Sequence, residues 1–339
     1  MAFLADYAES ERTARVMLSM IAEPADANVG RLLRREGGIE TLRLLDTDGP
    51  MPGVRREEAA ILQHRTRLVS SGVDFDAVLR RALDGRYEPL MPGDAHWPAS
   101  VDPLGDRTPY VLWAKGATSF LATQTEDRVT ITGSRASTSY GDHVAAELAH
   151  DASMGEQIVV SGGAYGIDGA AHRAVLTDAG HTIAVLASGL DRPYPAGHRD
   201  LLERVADLGL VVSEMPPGST PTRHRFTARG RLLAAMSSTT VIVEAGARSG
   251  ALNVAREAHT LGRGVGAVPG PITSAASTGP HLLLQEGTAT LVSSSHEVSA
   301  LMHDRPVAPT RSQGVQNGPA VDGSDLIRIS PAVPSDLGG

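Results

Sequence analysis

The sequence predicts an α/β fold with a doubly wound, mostly parallel sheet, preceded by a small all-α domain. From residue 128 onward, short β-branched runs alternate regularly with helical patterns. Several of these runs are apolar throughout, as expected when helices cover both faces of a parallel sheet. The first 86 residues carry helical periodicity and no comparable strands. These observations together predict the fold class.

The composition restricts the classes of protein that fit. A chain of 339 residues is long enough for two domains, and its net charge of −8 argues against a generally basic surface but not against a local basic patch. The chain has no cysteine, which excludes disulfides, thiolate metal sites and thiol catalysis. No apolar run has the length of a signal peptide or a membrane span. We therefore expect a soluble cytoplasmic protein that makes no membrane contact.

Residues 1–86 predict a helical domain. A glycine turn separates the second of five helical patterns from the third. The patterns cover residues 9–23, 31–38, 39–45, 55–70 and 75–83. Helix–glycine–helix units can grip a nucleic-acid backbone, but we favour the alternative of a solvated face on which glutamates balance the arginines. The arginines are Arg31, Arg34, Arg35, Arg55, Arg56, Arg65 and Arg67, and the glutamates are Glu36, Glu40, Glu57 and Glu58.

Two further segments flank the sheet domain. Residues 87–127 contain five prolines and one strand pattern at 110–113, so we expect a connector packed on the main sheet. Residues 304–339 are rich in proline, glycine and serine and lack periodic apolar residues, which predicts a mostly disordered tail. The sheet domain itself is expected to span residues 128–303.

Within residues 128–303 the ligand-binding edge follows from the predicted order of elements. Strands are predicted at 129–132, 158–160, 182–186, 210–213, 240–243, 265–268 and 289–292. Helices are predicted at 142–152, 168–179, 199–208, 228–237, 251–261, 280–286 and 295–301. In such a sheet the strand C-termini meet the helix N-termini at one edge. Exposed N–H groups and helix dipoles make that edge attractive to phosphate.

The first two strands of this domain end in turns suited to phosphate. Their glycines let a ligand approach the backbone, their hydroxyls donate hydrogen bonds, and an arginine offers a planar charged fork. The turns are Gly133-Ser134-Arg135 and Ser161-Gly162-Gly163. Neither a dinucleotide fingerprint nor a P-loop is present. The alternative is a generic βαβ turn with glycines present by chance.

The densest positive charge in the chain lies between residues 223 and 231. Four arginines and one aromatic ring fall within these nine residues. They are Arg223, Arg225, Phe226, Arg229 and Arg231. In a net-acidic chain this concentration indicates a polyanion site, with the ring able to stack one base. The alternative is an arginine cluster paired internally with Glu214 or Glu244, with Phe226 in the core.

Several motifs of the chain together resemble those of a known family. The matching motifs are Gly133-Ser-Arg135, Ser161-Gly-Gly-Ala-Tyr-Gly-Ile-Asp168, Phe226 with Arg229-Gly-Arg231, and Glu244-Ala with Ser249-Gly-Ala-Leu252. In this combination and order the chain is similar to the DNA-processing protein A family (DprA, also called Smf) from about residue 87 to residue 301. The N-terminal helices resemble the sterile-alpha-motif-like domain of some members.

The resemblance implies a binding protein rather than an enzyme. Family members bind single-stranded DNA in an extended Rossmann-like domain, form homodimers and load the RecA recombinase onto DNA during natural transformation. The resemblance carries a DNA site onto Gly133, Ser134, Arg135, Ser161, Gly162, Gly163, Phe226, Arg229 and Arg231, and the cluster adds Arg225. It implies no catalytic residue, metal or cofactor.

The chain departs from the family pattern at three places. Thr227 replaces a proline, and Gly230 replaces an asparagine whose amide is expected to contact DNA. A glycine near the start of a helix costs about 0.5–1 kcal/mol of helix stability. Residues 304–339 are too short for the winged helix that some members carry at the C-terminus.

An enzymatic alternative stays open. Asp168 and His172 are four residues apart on a predicted helix, and Glu214 and Glu244 lie at strand ends where a hydrolase keeps carboxylates. The related phosphoribohydrolases of the same Rossmann-like group use a Pro-Gly-Gly-x-Gly-Thr-x-x-Glu motif that this chain lacks. The second hypothesis is thus a nucleotide-binding enzyme of the nucleoside-monophosphate phosphoribohydrolase type, and the third is a nucleotide sensor without turnover.

Overall fold

The fold is known from a computed structural model that describes residues 4–71 and 73–303, with the backbone alone at residue 81. The predicted tail, 304–339, lies outside the described residues. Nine strands form one sheet, in the order β1-β2-β6-β5-β4-β3-β7-β8-β9. They are β1 (Glu88–Leu90), β2 (Leu112–Gly116), β3 (Arg128–Thr132), β4 (Ile158–Ser161), β5 (Thr182–Leu186), β6 (Leu210–Ser213), β7 (Thr239–Ile242), β8 (Gly264–Ala267) and β9 (Thr290–Leu291).

The direction of the strands confirms the predicted fold class. All neighbours from β6 to β9 run parallel, whereas β1 pairs antiparallel with β2 and β2 antiparallel with β6. The strand order reverses between β3 and β7: successive strands add on one side from β3 to β6 and on the other side from β7 to β9. Such a reversal opens a crevice at the strand C-termini, because the following loops run to opposite sides.

Helices cover both faces of the sheet. Those that follow β3 are α6 (Ser139–Met154), α7 (Ile167–Thr177), α8 (Arg199–Leu208), α9 (Arg223–Ala235), α10 (Ala251–Thr260), α11 (Thr278–Gln285) and α12 (Ser295–His303). The helices α6, α7 and α12 share a core with Val129 and Val241 on one face. The helices α9 and α10 share a core with Val160 and Ile183 on the other face. This alternation is the doubly wound arrangement.

Helix α9 begins earlier than its sequence predicts. The apolar pattern predicts a start at residue 228, but the helix begins at Arg223. The Thr222 side chain caps the end by accepting a hydrogen bond from the N–H of Arg225. The arginine-rich segment is therefore helical rather than a loop, and its side chains point to different sides of one helix.

The N-terminal helices lie close to their predicted positions. They are α1 (Glu11–Ile21), α2 (Ala27–Glu36), α3 (Gly38–Asp46), α4 (Arg56–Ser70) and α5 (Phe75–Ala82). Asp26 caps α2, and both carboxylate oxygens of Glu11 accept from the N–H of Gly38, at 2.7 and 2.8 Å. The core of these helices continues into Trp113 of β2 and Leu186 of β5. The helices therefore pack onto the sheet beside α8.

Most arginines of the N-terminal helices are paired with carboxylates, but of the four predicted glutamates only Glu36 and Glu58 pair with the predicted arginines, and the other partners are aspartates. Arg31 and Arg34 share Asp106, at 3.2 and 3.0 Å, and Arg67 contacts Asp48. The remaining ion pairs are Arg35–Glu36, Arg55–Glu58 and Arg65–Asp26. These contacts leave little uncompensated positive charge on this part of the surface.

A buried arginine ties the 87–127 segment to the sheet. The Arg128 guanidinium donates to the carbonyls of Met236 and Leu121 at 2.5 and 3.0 Å and to the Ser100 hydroxyl at 3.2 Å. Burial lowers its pKa to about 10. Short 3₁₀ segments lie at Leu4–Tyr7, Ala99–Arg107, Thr118–Leu121, Thr125–Asp127, Ala196–His198 and Ala275–Ser277. Among the helices described here, none combines the length and the hydropathy of a membrane span.

Candidate nucleic-acid interface

A cleft of about 1030 Å³ opens where the strand order reverses. Its walls are the turn after β3, the loop 246–250 after β7, and helix α9. Ala25 of the N-terminal region and Arg107 lie on its rim. The topology therefore brings together three segments that are far apart in the sequence, at the edge where ligands are expected.

The turn after β3 is fixed by its neighbours. The N–H of Ser134 donates to the Glu244 carbonyl at 2.7 Å, and the Ser134 carbonyl accepts from the N–H of Ile167 at 3.2 Å. A Cβ on Gly133 would lie 2.5 Å from the same Glu244 carbonyl oxygen, so only glycine fits there. The Ser134 N–H is used inside the protein, whereas the Arg135 side chain is exposed and lines the cleft.

A carboxylate of the protein occupies the N-terminus of α6. Glu244 is buried, and its oxygens accept from the N–H of Thr138 at 2.8 Å and from the Thr138 hydroxyl at 2.6 Å. Gly141 admits this carboxylate, because a Cβ there would lie 2.2 Å from Glu244 Oε2. In many Rossmann-like folds the helix end after the first strand binds a phosphate. Here the Glu244 carboxylate already contacts the N-cap residue of this helix, Thr138.

The turn after β4 serves chiefly to position an arginine. Ser161 is fully buried, and its hydroxyl donates to the Ile131 carbonyl at 2.7 Å. The Gly162 carbonyl accepts from Arg229 Nη1 at 2.9 Å, and a Cβ on Gly162 would lie only 2.1 Å from that nitrogen. Gly163 has a φ of +72°, in the left-handed region that favours glycine. These three predicted residues therefore support the cleft from the protein interior and do not line it.

Arg229 is a buried cation held mainly by carbonyls. Its Nη1 donates to the carbonyls of Gly162 and Val185, the latter at 2.7 Å, while its buried Nε has no hydrogen-bond partner among the described residues. Burial lowers its pKa, against the opposing effect of the Asp168 carboxylate. The Asp168 oxygens are bonded to the Thr132 hydroxyl and the Ala164 N–H. Arg229 lines the cleft with its charge incompletely compensated.

Phe226 lies against two cations and a second ring. The Arg135 guanidinium stands over the ring at 4.3 Å from its centroid, and that of Arg229 lies at 6.0 Å. Tyr194 meets the ring edge-on, with centroids 5.7 Å apart and an interplanar angle of 66°. These contacts stabilise Arg135 in the cleft and leave flat, partly exposed surfaces on which a base could stack.

The other two predicted arginines are paired with carboxylates of the protein. Arg231 is 3% exposed and forms a two-pronged ion pair with Glu214, with Nη2 to Oε1 at 2.7 Å. Arg225 forms a similar pair with Glu23, at 2.9 and 3.2 Å. The internal-pairing alternative therefore describes Arg231 with Glu214, whereas Glu244 pairs with Thr138 instead. No sequence signal indicated the pairing with Glu23.

Two exposed arginines were not among the predicted DNA-binding residues, although Arg223 belongs to the predicted polyanion cluster. Arg223 opens helix α9, and Arg248 lies in the 246–250 loop; both line the cleft, and neither forms an ion pair with a described residue. The position of Arg248, just after a strand next to the reversal of strand order, is the signal that could have found it. Together with Arg135 they form a group that we call the open arginines.

The side chains of the enzymatic alternative have hydrogen-bond partners within the fold. His172 is buried, and its Nδ1 donates at 2.8 Å to the Thr182 hydroxyl, which in turn donates to Val159. Burial lowers the pKa of His172 to about 4. The Asp168 carboxylate accepts hydrogen bonds from the Thr132 hydroxyl and the Ala164 N–H. Among described residues that line the cleft, the carboxylates are Asp168 and Glu257, and Glu257 pairs with Arg107 at 2.6 Å.

Comparison with known proteins identifies the family. The model of the DNA recombination-mediator protein A family matches residues 88–303. A Mycobacterium tuberculosis (strain H37Rv) protein named for DNA processing, DprA, is 44% identical over 297 residues, which are 83% of this chain and 72% of that protein. The DNA processing protein DprA of Streptococcus pneumoniae is 39% identical over 192 residues, 57% of this chain and 66% of the relative.

Solved structures agree with this assignment. The X-ray structure of DNA processing protein A from Streptococcus pneumoniae aligns with a TM-score of 0.69 and 29% identity, over 86% of this chain and 97% of that one. The Helicobacter pylori protein, described for its single-stranded DNA binding mode, aligns with a TM-score of 0.57 and 29% identity, over 63% and 94%. The resemblance inferred from the motifs is thus confirmed, and the chain belongs to the DNA recombination-mediator protein A family.

Proposed function

We propose that the chain binds single-stranded DNA in the cleft between the turn after β3 and helix α9. The observation that carries this proposal is the group of open arginines, Arg135, Arg223 and Arg248, collected in one cleft of a chain whose net charge is −8. Arginines without carboxylate partners bind phosphate through a planar, two-pronged fork. A polyanion is the ligand that matches them.

Arg229, which is buried beneath the cleft surface, also favours an anionic ligand. A buried guanidinium with an unpartnered Nε is costly unless a negative charge approaches it. A phosphate held by Arg135 at the mouth of the cleft would supply that charge. The Ser161–Gly163 turn and Asp168 keep Arg229 in place for this role.

The aromatic contacts favour a single strand. Phe226 and Tyr194 offer ring surfaces beside the open arginines, and a base can stack on them only when it is unpaired. The relative from Helicobacter pylori, described for its mode of binding single-stranded DNA, supports the same ligand. Contacts to phosphates and ring faces read no base edge, so sequence preference should be slight.

The wider role is proposed on the strength of the family. A recombination mediator of this kind would protect incoming single-stranded DNA during natural transformation and load the RecA recombinase onto it in the cytoplasm. A homodimer would present two clefts to one strand, and the affinity would then rise by avidity. We propose that the chain does this by binding, without turnover of a nucleotide.

The test is fluorescence anisotropy with a labelled thymidine oligomer at several salt concentrations. We expect Arg135→Ala to weaken binding about tenfold or more and to reduce the slope of log affinity against log salt by about 0.7, the loss of one phosphate contact. Arg204→Ala is the matched control, because Arg204 is exposed on α8 and lines no part of the cleft. Equal binding by the two variants would contradict the proposed site, and release of a base or sugar phosphate from nucleotides would favour the enzymatic alternative.

A further inference from the structure

A second pocket lies on the far side of the loop that follows β5. Its volume is about 200 Å³, and it collects three cations from separate parts of the chain. Arg86 precedes β1, Lys115 lies on β2, and Arg199 begins α8. The mechanism proposed above uses none of these residues.

The cations of this pocket are weakly compensated. Lys115 is the only lysine of the chain and is half-buried, and among described residues neither Lys115 nor Arg199 forms an ion pair. Arg86 has a distant partner in Asp84, at 3.9 Å. Two carboxylates also line the pocket, Asp191 and Glu203, but Asp191 accepts from the Gly218 N–H at 2.7 Å. A half-buried ammonium without an acid partner indicates a place for an anion.

The pocket and the cleft share no lining residue, but the turn after β4 contacts residues of both. Leu186 and Leu202 line the pocket, and a Cβ on Gly163 would meet their methyl groups at 3.1 and 3.0 Å. The preceding residue, Gly162, holds Arg229 in the cleft. The turn after β4 thus lies between Arg229 of the cleft and two leucines of the second pocket.

The loop after β5 also faces both sites. Tyr194 is 47% exposed and touches Phe226 of the cleft, whereas Asp191 and Pro193 of the same loop line the second pocket. A strand that left the cleft over Tyr194 would follow this loop towards the second pocket. Its exposed ring can stack a base on the way.

We propose that the second pocket binds a phosphodiester of the same DNA strand, through Lys115 and Arg199, with Tyr194 stacking a base between the two sites. This inference rests on the proposed function, because it needs DNA in the cleft. It predicts that contacts at Lys115 depend on the length of the oligomer, whereas contacts at Arg135 do not.

A chemical footprint tests this directly, since Lys115 is the only side-chain amine of the protein. The protein is acetylated with a lysine-reactive reagent, alone, with a thymidine oligomer of about 6 nucleotides, and with one of about 20, within the range of single-strand site sizes. Mass spectrometry then gives the extent of acetylation at Lys115, and anisotropy verifies that each oligomer is bound. We expect about a fivefold reduction of acetylation with the long oligomer and little with the short one.

The other outcomes separate the two proposals. Unchanged acetylation by a long oligomer that is bound would overturn the second pocket alone. Equal protection by both oligomers would overturn the continuous path, because a strand confined to the cleft cannot cover Lys115. If neither the short nor the long oligomer bound, both the proposed function and this inference would be overturned.

Variants give an independent measurement. Lys115→Gln and Arg199→Gln should each weaken binding of the long oligomer about fivefold and leave the short one unchanged, as expected for loss of one charge-assisted contact outside the cleft. Arg204→Gln is the matched control, an exposed arginine on α8 like Arg199 that does not line the pocket. An equal loss for both oligomers, or no loss for either, would contradict the proposal.

Discussion

Helix α9 carries arginines that look alike in the sequence and differ in the structure. Arg223 is exposed in the cleft without a carboxylate partner. Arg231, two turns later, is 3% exposed and bonded to Glu214 and to the Arg107 carbonyl. Between them, Arg225 pairs with Glu23, and Arg229 is buried on carbonyls. One helix therefore carries both open and paired arginines.

Burial and the presence of a carboxylate partner separate a structural arginine from one that is free to bind an anion. A buried arginine with a carboxylate partner has its charge and its donors satisfied, so it fixes the fold and offers little to a ligand. An exposed arginine without such a partner keeps its donors for an anion. Arg229 lies between these extremes, since it is buried but bonded mainly to neutral carbonyls. Replacing one partner at a time shows whether the free energy of unfolding or the DNA affinity changes.

The largest effect is expected from Glu214→Gln. It leaves the Arg231 guanidinium buried without its counter-charge, and breaking one side of a buried ion pair costs about 3–5 kcal/mol. The free energy of unfolding, measured by urea denaturation, should fall by that amount. DNA affinity of the folded fraction should stay within about twofold, because Glu214 does not line the cleft and Arg231 is almost fully buried.

A double replacement provides the control for this effect. Arg231→Met combined with Glu214→Leu removes both charges, and buried pairs replaced by apolar side chains often leave stability unchanged. Recovery of most of the lost stability would assign the pair to the fold. If the double variant instead lost DNA binding while remaining folded, Arg231 would belong with the binding arginines.

An intermediate effect, dependent on pH, is expected from His172. Its pKa is lowered to about 4 in the folded protein by burial, against an ordinary value of 6.5. The unfolded chain therefore binds a proton that the folded chain does not bind between these pH values. The stabilisation by neutral His172 is fully present above pH 6.5 and is lost as the pH falls towards 4, by about 1.4 kcal/mol per pH unit at most.

His172→Asn isolates this contribution, because the Asn amide can donate to Thr182 in place of the imidazole Nδ1. The pH dependence of urea unfolding between pH 6.5 and 4 should become shallower in the variant. The two proteins should bind DNA equally at pH 7.5. A parallel pH profile in both proteins would mean that other groups cause the acid sensitivity.

The fold was largely predictable from local pattern. Apolar and β-branched runs located the parallel strands from β3 to β8 within a residue at each end, because strands buried on both faces admit few other residue types. The short strand β1 was missed, since Pro89 lies within it and prolines are confined to strand edges. The start of α9 was missed because its first turn is polar and the cap, Thr222, comes before the apolar pattern.

The site was predictable only in part, because partners distant in the sequence leave no local signal. The turn that carries Arg135 follows from its glycine and its place after a strand. That Arg225 is neutralised by Glu23, 202 residues away, depends on how the N-terminal region packs against α9. Likewise, nothing near Glu244 indicates that its carboxylate accepts from Thr138, the N-cap residue of α6. The sequence shows where the arginines are concentrated, but only the packing of the chain determines which of them lack a carboxylate partner.

The smallest effect is expected from Glu23→Gln, which converts a paired arginine into an open one. The pair is partly exposed, so the free energy of unfolding should fall by less than about 1 kcal/mol. Arg225 then gains a free charge in the first turn of α9, next to Arg223 and Phe226. Affinity for a thymidine oligomer should rise, by up to about fivefold, with a steeper dependence on salt.

Anisotropy at two salt concentrations measures this change, and Glu58→Gln is the matched control because its partner, Arg55, is a surface arginine of the N-terminal helices. A rise in affinity specific to Glu23→Gln would mean that pairing alone, rather than position on the helix, withholds Arg225 from the ligand. An unchanged affinity would mean that the Arg225 guanidinium points away from the strand even when it is free. The distinction between open and paired arginines would then depend on direction as well as on charge.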